Sequence, residues 1–183
     1  MQALTIPDAL AGRDVCGKAK TGSGKTLRLR APRAPAPRPG RCRARPASLL
    51  VPTRELANQV TEELEPAARR STGSRWPSTA GRRSRKQIEW LDKGVDLVVA
   101  TPGRMIDLIE REAVSVDAVT HVVVDEADRM ADMGFLPQVE WILRNVDDTR
   151  QTLLFSATLD GVVNTLIRRY QVDPSMHEVA TRR

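Results

Sequence analysis

Two segments of this 183-residue chain carry the residue types of phosphate and metal chemistry. Ala19-Lys20-Thr21-Gly22-Ser23-Gly24-Lys25-Thr26 is rich in glycine and ends in Lys-Thr. Such glycines let backbone N–H groups close around an anionic phosphate, with help from the positive end of a following helix. Thr21, Gly22, Ser23 and Gly24 would form the cradle, Lys25 would reach the β- and γ-phosphates, and the Thr26 hydroxyl would ligate Mg²⁺. The usual pattern opens on Gly, where this chain has Ala19. A flexible turn can have the same composition, and it is the second segment, Asp125-Glu126-Ala127-Asp128, that argues against that reading. There Asp125 could bind Mg²⁺ through water while Glu126 positions or deprotonates an attacking water. Asp125, Glu126 and Lys25 are therefore the catalytic candidates, with Thr26 and Asp125 the metal ligands.

Strands must aim these loops. Val15-Cys16 reads as the end of a buried strand leading to the glycine-rich loop, and His121-Val122-Val123-Val124 as a central parallel strand. Open α/β sheets place ligands beyond the carboxyl ends of their strands, where Asp125 would emerge. His121 reads as a packing residue, since no second His or Cys lies at metal-binding spacing. Further strands are expected at Asp96–Ala100 and Thr152–Phe155. Helical spacing covers Glu55 to Glu65 (stopped by Pro66), Gln87 to Leu91, Arg104 to Arg111 with Met105, Leu108 and Ile109 inward, Phe135 to Arg144, and Val162 to Tyr170. Alternating strands and helices predict an α/β fold, a parallel sheet with helices on both faces.

With these motifs in order, the chain resembles the N-terminal RecA-like domain of DEAD-box ATP-dependent RNA helicases, a P-loop NTPase fold. Gln2-Ala3-Leu4-Thr5-Ile6-Pro7 is similar to the tail of the family's Q motif. The phosphate loop follows, then Pro52-Thr53-Arg54-Glu55-Leu56-Ala57, Thr101-Pro102-Gly103-Arg104, the DEAD tetrad and Ser156-Ala157-Thr158. Each tetrapeptide is weak alone, but their order over most of the chain is specific. The resemblance implies ATP and Mg²⁺ as cofactors and RNA as partner. It implies that Gln2 reads the adenine edge, a task for which a carboxamide is suited. Thr53, Arg54, Thr101, Gly103 and Arg104 would hold RNA phosphates without reading bases. Thr53 and Thr101-Pro102 also read as helix starts, and both readings can hold together. Asp128, Ser156 and Thr158 would couple nucleotide state to RNA binding.

The charge is unevenly distributed. Residues 28–48 hold seven Arg, five Pro and five Ala without an acid, and residues 67–85 hold six Arg without an acid. Those thirteen arginines exceed the formal +6 of the chain, so the other 143 residues carry a net charge of −7. Arginine tracts can neutralise RNA phosphates, and Pro-rich polar text can be a solvated insert. A third reading is that both segments are translated out of frame, because aliphatic helix and strand are expected there; the coding DNA would decide. Pro32, Pro35 and Pro37 would interrupt the helix after the phosphate loop, each costing about 3 kcal/mol in a helix interior. Ala80-Gly81 is at best a remnant of the family's Gly-Gly RNA contact, and Trp76 is a poor stacking candidate.

Length suits one RecA-like domain. Met1 falls inside the Q motif and nothing after Thr158 resembles the second lobe, so a fragment lacking the C-terminal RecA-like lobe is expected. Without that lobe's arginine finger, about 10³–10⁵ in rate would be missing. Cys16 and Cys42 provide no disulfide or zinc framework, which fits a cytoplasmic, reducing setting. No apolar run reaches membrane-spanning length. Besides the helicase lobe, the open readings are a non-catalytic ATP- or RNA-binding module, a frameshifted product that does not fold, and a DNA-translocating P-loop enzyme. The DEAD tetrad and the Gln at position 2 argue against the last.

Overall fold

The molecule is seen in a computed structural model that describes residues 2–18, 47–70 and 97–178, apart from the side chains of 2, 3, 66–70 and 118. The phosphate loop 19–26, the arginine-rich stretches 28–46 and 71–85, and the helix expected at 87–91 lie outside the described residues.

Six strands are described: β1 Val15–Lys18, β2 Ala47–Leu50, β3 Leu97–Ala100, β4 His121–Val124, β5 Gln151–Ser156 and β6 Ser175–Glu178. They form one sheet in the order β3-β2-β4-β5-β1-β6, and every pairing is parallel. β4 lies between β2 and β5, the central position its unbroken Val-Val-Val run requires. Ala47 and Ser48, the last residues of the first arginine-rich segment, are already buried in β2.

Six α-helices are described: α1 Gln2–Leu10, α2 Arg54–Arg70, α3 Pro102–Glu110, α4 Ala127–Asp132, α5 Leu136–Asn145 and α6 Gly161–Tyr170. Strand side chains alternate between two cores. Val122 and Val124 join Met105 and Leu108 of α3, Val139, Ile142 and Leu143 of α5, and Val163 and Leu166 of α6. Val123 instead joins Ala57, Val60 and Leu64 of α2, with Ala9 of α1 packed alongside. Helices therefore cover both faces, as expected for this α/β class. Ile109 packs only partly buried, whereas Met105 and Leu108 are fully buried.

One boundary departs from the sequence reading. Pro66 does not stop α2, which continues to Arg70. The stripe of Ala57, Val60 and Leu64 seats this helix on the sheet, and that packing outweighs the hydrogen bond a proline forfeits. Among the described residues no helix is long and apolar enough to cross a membrane.

Buried polar groups tie the amino ends of β1, β5 and β6 together. Asp14 Oδ1 accepts from the Thr152 N–H at 2.7 Å, and Asp14 Oδ2 accepts from the Val172 N–H at 2.7 Å. Gln171 Nε2 donates to the carbonyls of Val15 and Thr152, each at 2.9 Å. These bonds satisfy main-chain groups the sheet ladder leaves over.

Candidate active site at the carboxyl edge of the sheet

Because all strands run parallel, every loop after a strand opens at one edge. Read across that edge, Thr101 follows β3, Thr53 follows β2, Asp125 follows β4, and Ser156 ends β5, with β1 next to it. The strand order thus brings together loops that are far apart in sequence.

Asp125 leaves β4 still in register, its N–H donating to the Leu50 carbonyl of β2 at 3.0 Å. Its Oδ1 accepts from the Glu126 N–H at 2.9 Å. Glu126 adopts a left-handed backbone, φ 54° and ψ 50°, before α4 begins. A side chain other than glycine pays for that conformation, and such strain concentrates at working sites. The Glu126 side chain is only 10% exposed and its Oε2 pairs with Arg129 Nη1 at 3.2 Å.

Asp128, in the first turn of α4, is tied to the end of β5. Its N–H donates to Ser156 Oγ at 3.1 Å, and its Oδ2 accepts from the Ala157 N–H at 3.1 Å. Ser156 is fully buried, so this contact is partly sheltered from water. Thr158, placed with this pair from the sequence, is exposed, and Asp128 is hydrogen-bonded to Ser156, Ala157 and the Arg129 N–H.

On the β2 and β3 side, Thr53 caps α2: its Oγ1 accepts from the Leu56 N–H at 3.2 Å. Arg54 opens the helix exposed. Thr101 caps α3 through its backbone, its carbonyl accepting from the Met105 N–H at 2.9 Å, with no side-chain cap bond, and Pro102 takes the first turn. A Cβ added to Gly103 would meet open space, so packing does not require glycine there. Arg104 pairs with Asp107, which also accepts from Arg111. The Arg111 hydrogen bond leads in holding the Asp107 carboxyl below its ordinary range.

Gln2 begins α1, while its side chain and residues Thr21, Gly22, Ser23, Gly24, Lys25 and Thr26 lie outside the described residues. Lys18, the last residue of β1, pairs with Glu178 of β6 at 2.8 Å, and that hydrogen bond raises the ammonium's pKa. Burial pushes the Cys16 thiol up to about 11. His121 is partly buried, its Nδ1 lies 2.8 Å from the Thr120 hydroxyl, and burial lowers its pKa. Sequence reasoning did not single out Arg129, although its position three residues after Glu126 is the spacing of a helical ion pair.

The profile of the DEAD/DEAH box helicase family matches residues 1–166. The chain is 44% identical to DEAD-box ATP-dependent RNA helicase 30 of Arabidopsis thaliana, over 95% of this chain and 30% of that protein. It is 40% identical to DEAD-box ATP-dependent RNA helicase CshA of Bacillus subtilis, over 95% of this chain and 35% of that one. This chain therefore spans about a third of the length of these curated relatives. Among solved structures, a DEAD box protein from the hyperthermophile Methanococcus jannaschii superposes with a TM-score of 0.77 at 33% identity, covering 94% of this chain and 47% of that one. The yeast DEAD-box splicing factor Prp28 gives a TM-score of 0.75 at 33% identity, covering 92% of this chain and 42% of that one. With motifs, sheet and relatives in agreement, the chain belongs to the DEAD-box family of helicases, whose RecA-like fold it shares.

Proposed function

We propose that this chain is the ATP-binding lobe of a DEAD-box RNA helicase, in which ATP binding and hydrolysis are coupled to RNA binding and duplex unwinding. One observation carries the reading. The Asp128–Ser156 contact joins the first turn of α4 to the end of β5 beside Asp125 and Glu126, at the edge where Thr53 and Thr101 also emerge. Relatives named as ATP-dependent RNA helicases support both substrates.

Lys25, Thr26 and Asp125 would hold Mg·ATP, with Gln2 on the base and Thr21, Gly22, Ser23 and Gly24 around the phosphates. Mg²⁺ in phosphoryl-transfer sites is held by one or two carboxylates plus phosphate oxygens, and the hard oxygens of Asp125 fit that chemistry. When bound, the ion neutralises charge that builds on the transferred phosphoryl group. Glu126 orients or deprotonates the attacking water, and Arg129 steadies its Oε2. Thr53, Arg54, Thr101, Gly103 and Arg104 supply hydroxyl, cationic and backbone partners for RNA phosphates, a set that grips without reading sequence. Asp128, Ser156 and Thr158 carry the state of one ligand to the other.

The chain's share of its relatives' length favours a lobe that works with a partner, the C-terminal RecA-like lobe. A cytoplasmic, reducing setting agrees with a free, buried Cys16. Joining a second lobe from a relative to this chain tests the reading. RNA-stimulated ATP hydrolysis should rise by about 10³–10⁵ over the isolated chain, the range an arginine finger supplies. Unwinding by the isolated chain, or a joined protein indifferent to RNA, would contradict it.

A further inference from the structure

The first turn of α3 carries Arg104 and no acidic residue, the reverse of what a helix dipole favours. A cation there stands against the positive end of its own helix. The placement has a use when the ligand is an anion, which amides and guanidinium can then bind together.

The rest of the helix holds this cation. Met105 and Leu108 are fully buried, so the backbone of α3 is seated in the core. Arg104, Asp107 and Arg111 follow at spacings of three and four residues and share one face of the helix. Arg104 Nη1 donates to Asp107 Oδ2, and Arg111 Nε donates to Asp107 Oδ1. Each carboxylate oxygen is thus aimed at one guanidinium. The Arg104 and Asp107 side chains are 22% and 33% exposed, sheltered enough for their bond to compete with water. Arg111, half exposed, braces the same carboxylate from outside. Pairs within one helix add little to stability, so bracing the fold is a weak reason for this one.

A guanidinium is a rigid planar fork of five donors, and fixing one edge fixes the direction of the others. Resting on the RNA-phosphate reading above, we infer that Asp107 is a positioning residue for RNA binding, holding Arg104 in the orientation in which its fork meets a backbone phosphate at the start of α3. Asp107 acts through Arg104, because a carboxylate would itself repel the phosphate. The assignment reverses the sign that charge alone would give. Removing an anion from a surface that binds a polyanion should tighten binding, whereas losing an aimed guanidinium should weaken it.

Fluorescence anisotropy of a labelled single-stranded RNA, titrated with the chain over a series of KCl concentrations, reads affinity and salt slope together. Arg104→Ala should weaken binding by roughly tenfold or more, as for a lost charge-assisted contact. Its salt dependence should become shallower by about 0.7, the slope of one single-strand phosphate. Asp107→Asn should lose roughly threefold, half of that free energy, again with a shallower slope. Asp107→Glu, which keeps a charged acceptor within reach of Arg104, should bind like the parent. Unchanged or tighter binding by Asp107→Asn overturns the positioning role, as does a loss that Asp107→Glu fails to restore. Parent affinity and slope in Arg104→Ala would instead remove the phosphate contact assigned to Arg104, and this inference with it.

Discussion

Glu126 occupies the costliest backbone position at the site, left-handed and nearly buried, with its carboxylate pinned by Arg129. That cost is understandable if the carboxylate must face a reacting water, and it makes a clean prediction. In the protein joined to a second lobe, Glu126→Gln should keep Mg·ATP affinity and lower RNA-stimulated hydrolysis by about 10²–10⁴, the usual weight of general-base catalysis. Equal turnover in steady-state assays would remove Glu126 from the chemistry. The tetrad's residues were legible in the sequence because strand and acidic loop adjoin. Arg129 escaped notice because a lone arginine on a helix is ordinary, and only the fold reveals that its partner is buried. Thr158 was grouped with Asp128 and Ser156 by motif, but the chain turns it to solvent while the Ala157 N–H takes the bond.

At the scale of elements, apolar runs such as Val122-Val123-Val124 and Leu97-Val98-Val99 announced buried strands, and the helical stripes announced their cover. What the pattern could not reveal was strand order, since pairing depends on contacts between distant segments. Nor could it reveal that α2 would run through Pro66, because propensity is a local penalty and the seat on the sheet is not local. Asp14 is similar: its neighbours in sequence do not mark it, and in the fold it is the acceptor that joins β1 to β5 and to the Val172 turn. Asp14→Ala should destabilise the chain by about 3 kcal/mol, because it orphans a buried N–H and removes charge-assisted bonds. Denaturant unfolding measures this, and a loss under about 0.5 kcal/mol, the scale of an ordinary surface change, would mean that Asp14 is not a structural anchor.

For the whole molecule, one parallel edge brings Thr53, Thr101, Asp125 and Ser156 to the same side of the sheet, although they lie far apart in sequence. Thr53 after β2 and Thr101 after β3 lie to one side of β4, and β5 with Ser156 lies to the other, followed by β1. Asp128 and Ser156 occupy the middle, where information between the two would have to pass. All of this depends on a triphosphate and its divalent ion being held between Lys25 and Asp125. Calorimetric titration of Mg·ATP into the parent chain, Lys25→Ala and Asp125→Ala is the direct measurement. The account predicts saturable binding by the parent that chelating the metal weakens, and a loss of about tenfold or more in each variant, as expected when a charge-assisted contact worth 1.5–3 kcal/mol is removed. Parent-like affinity in both variants would contradict it.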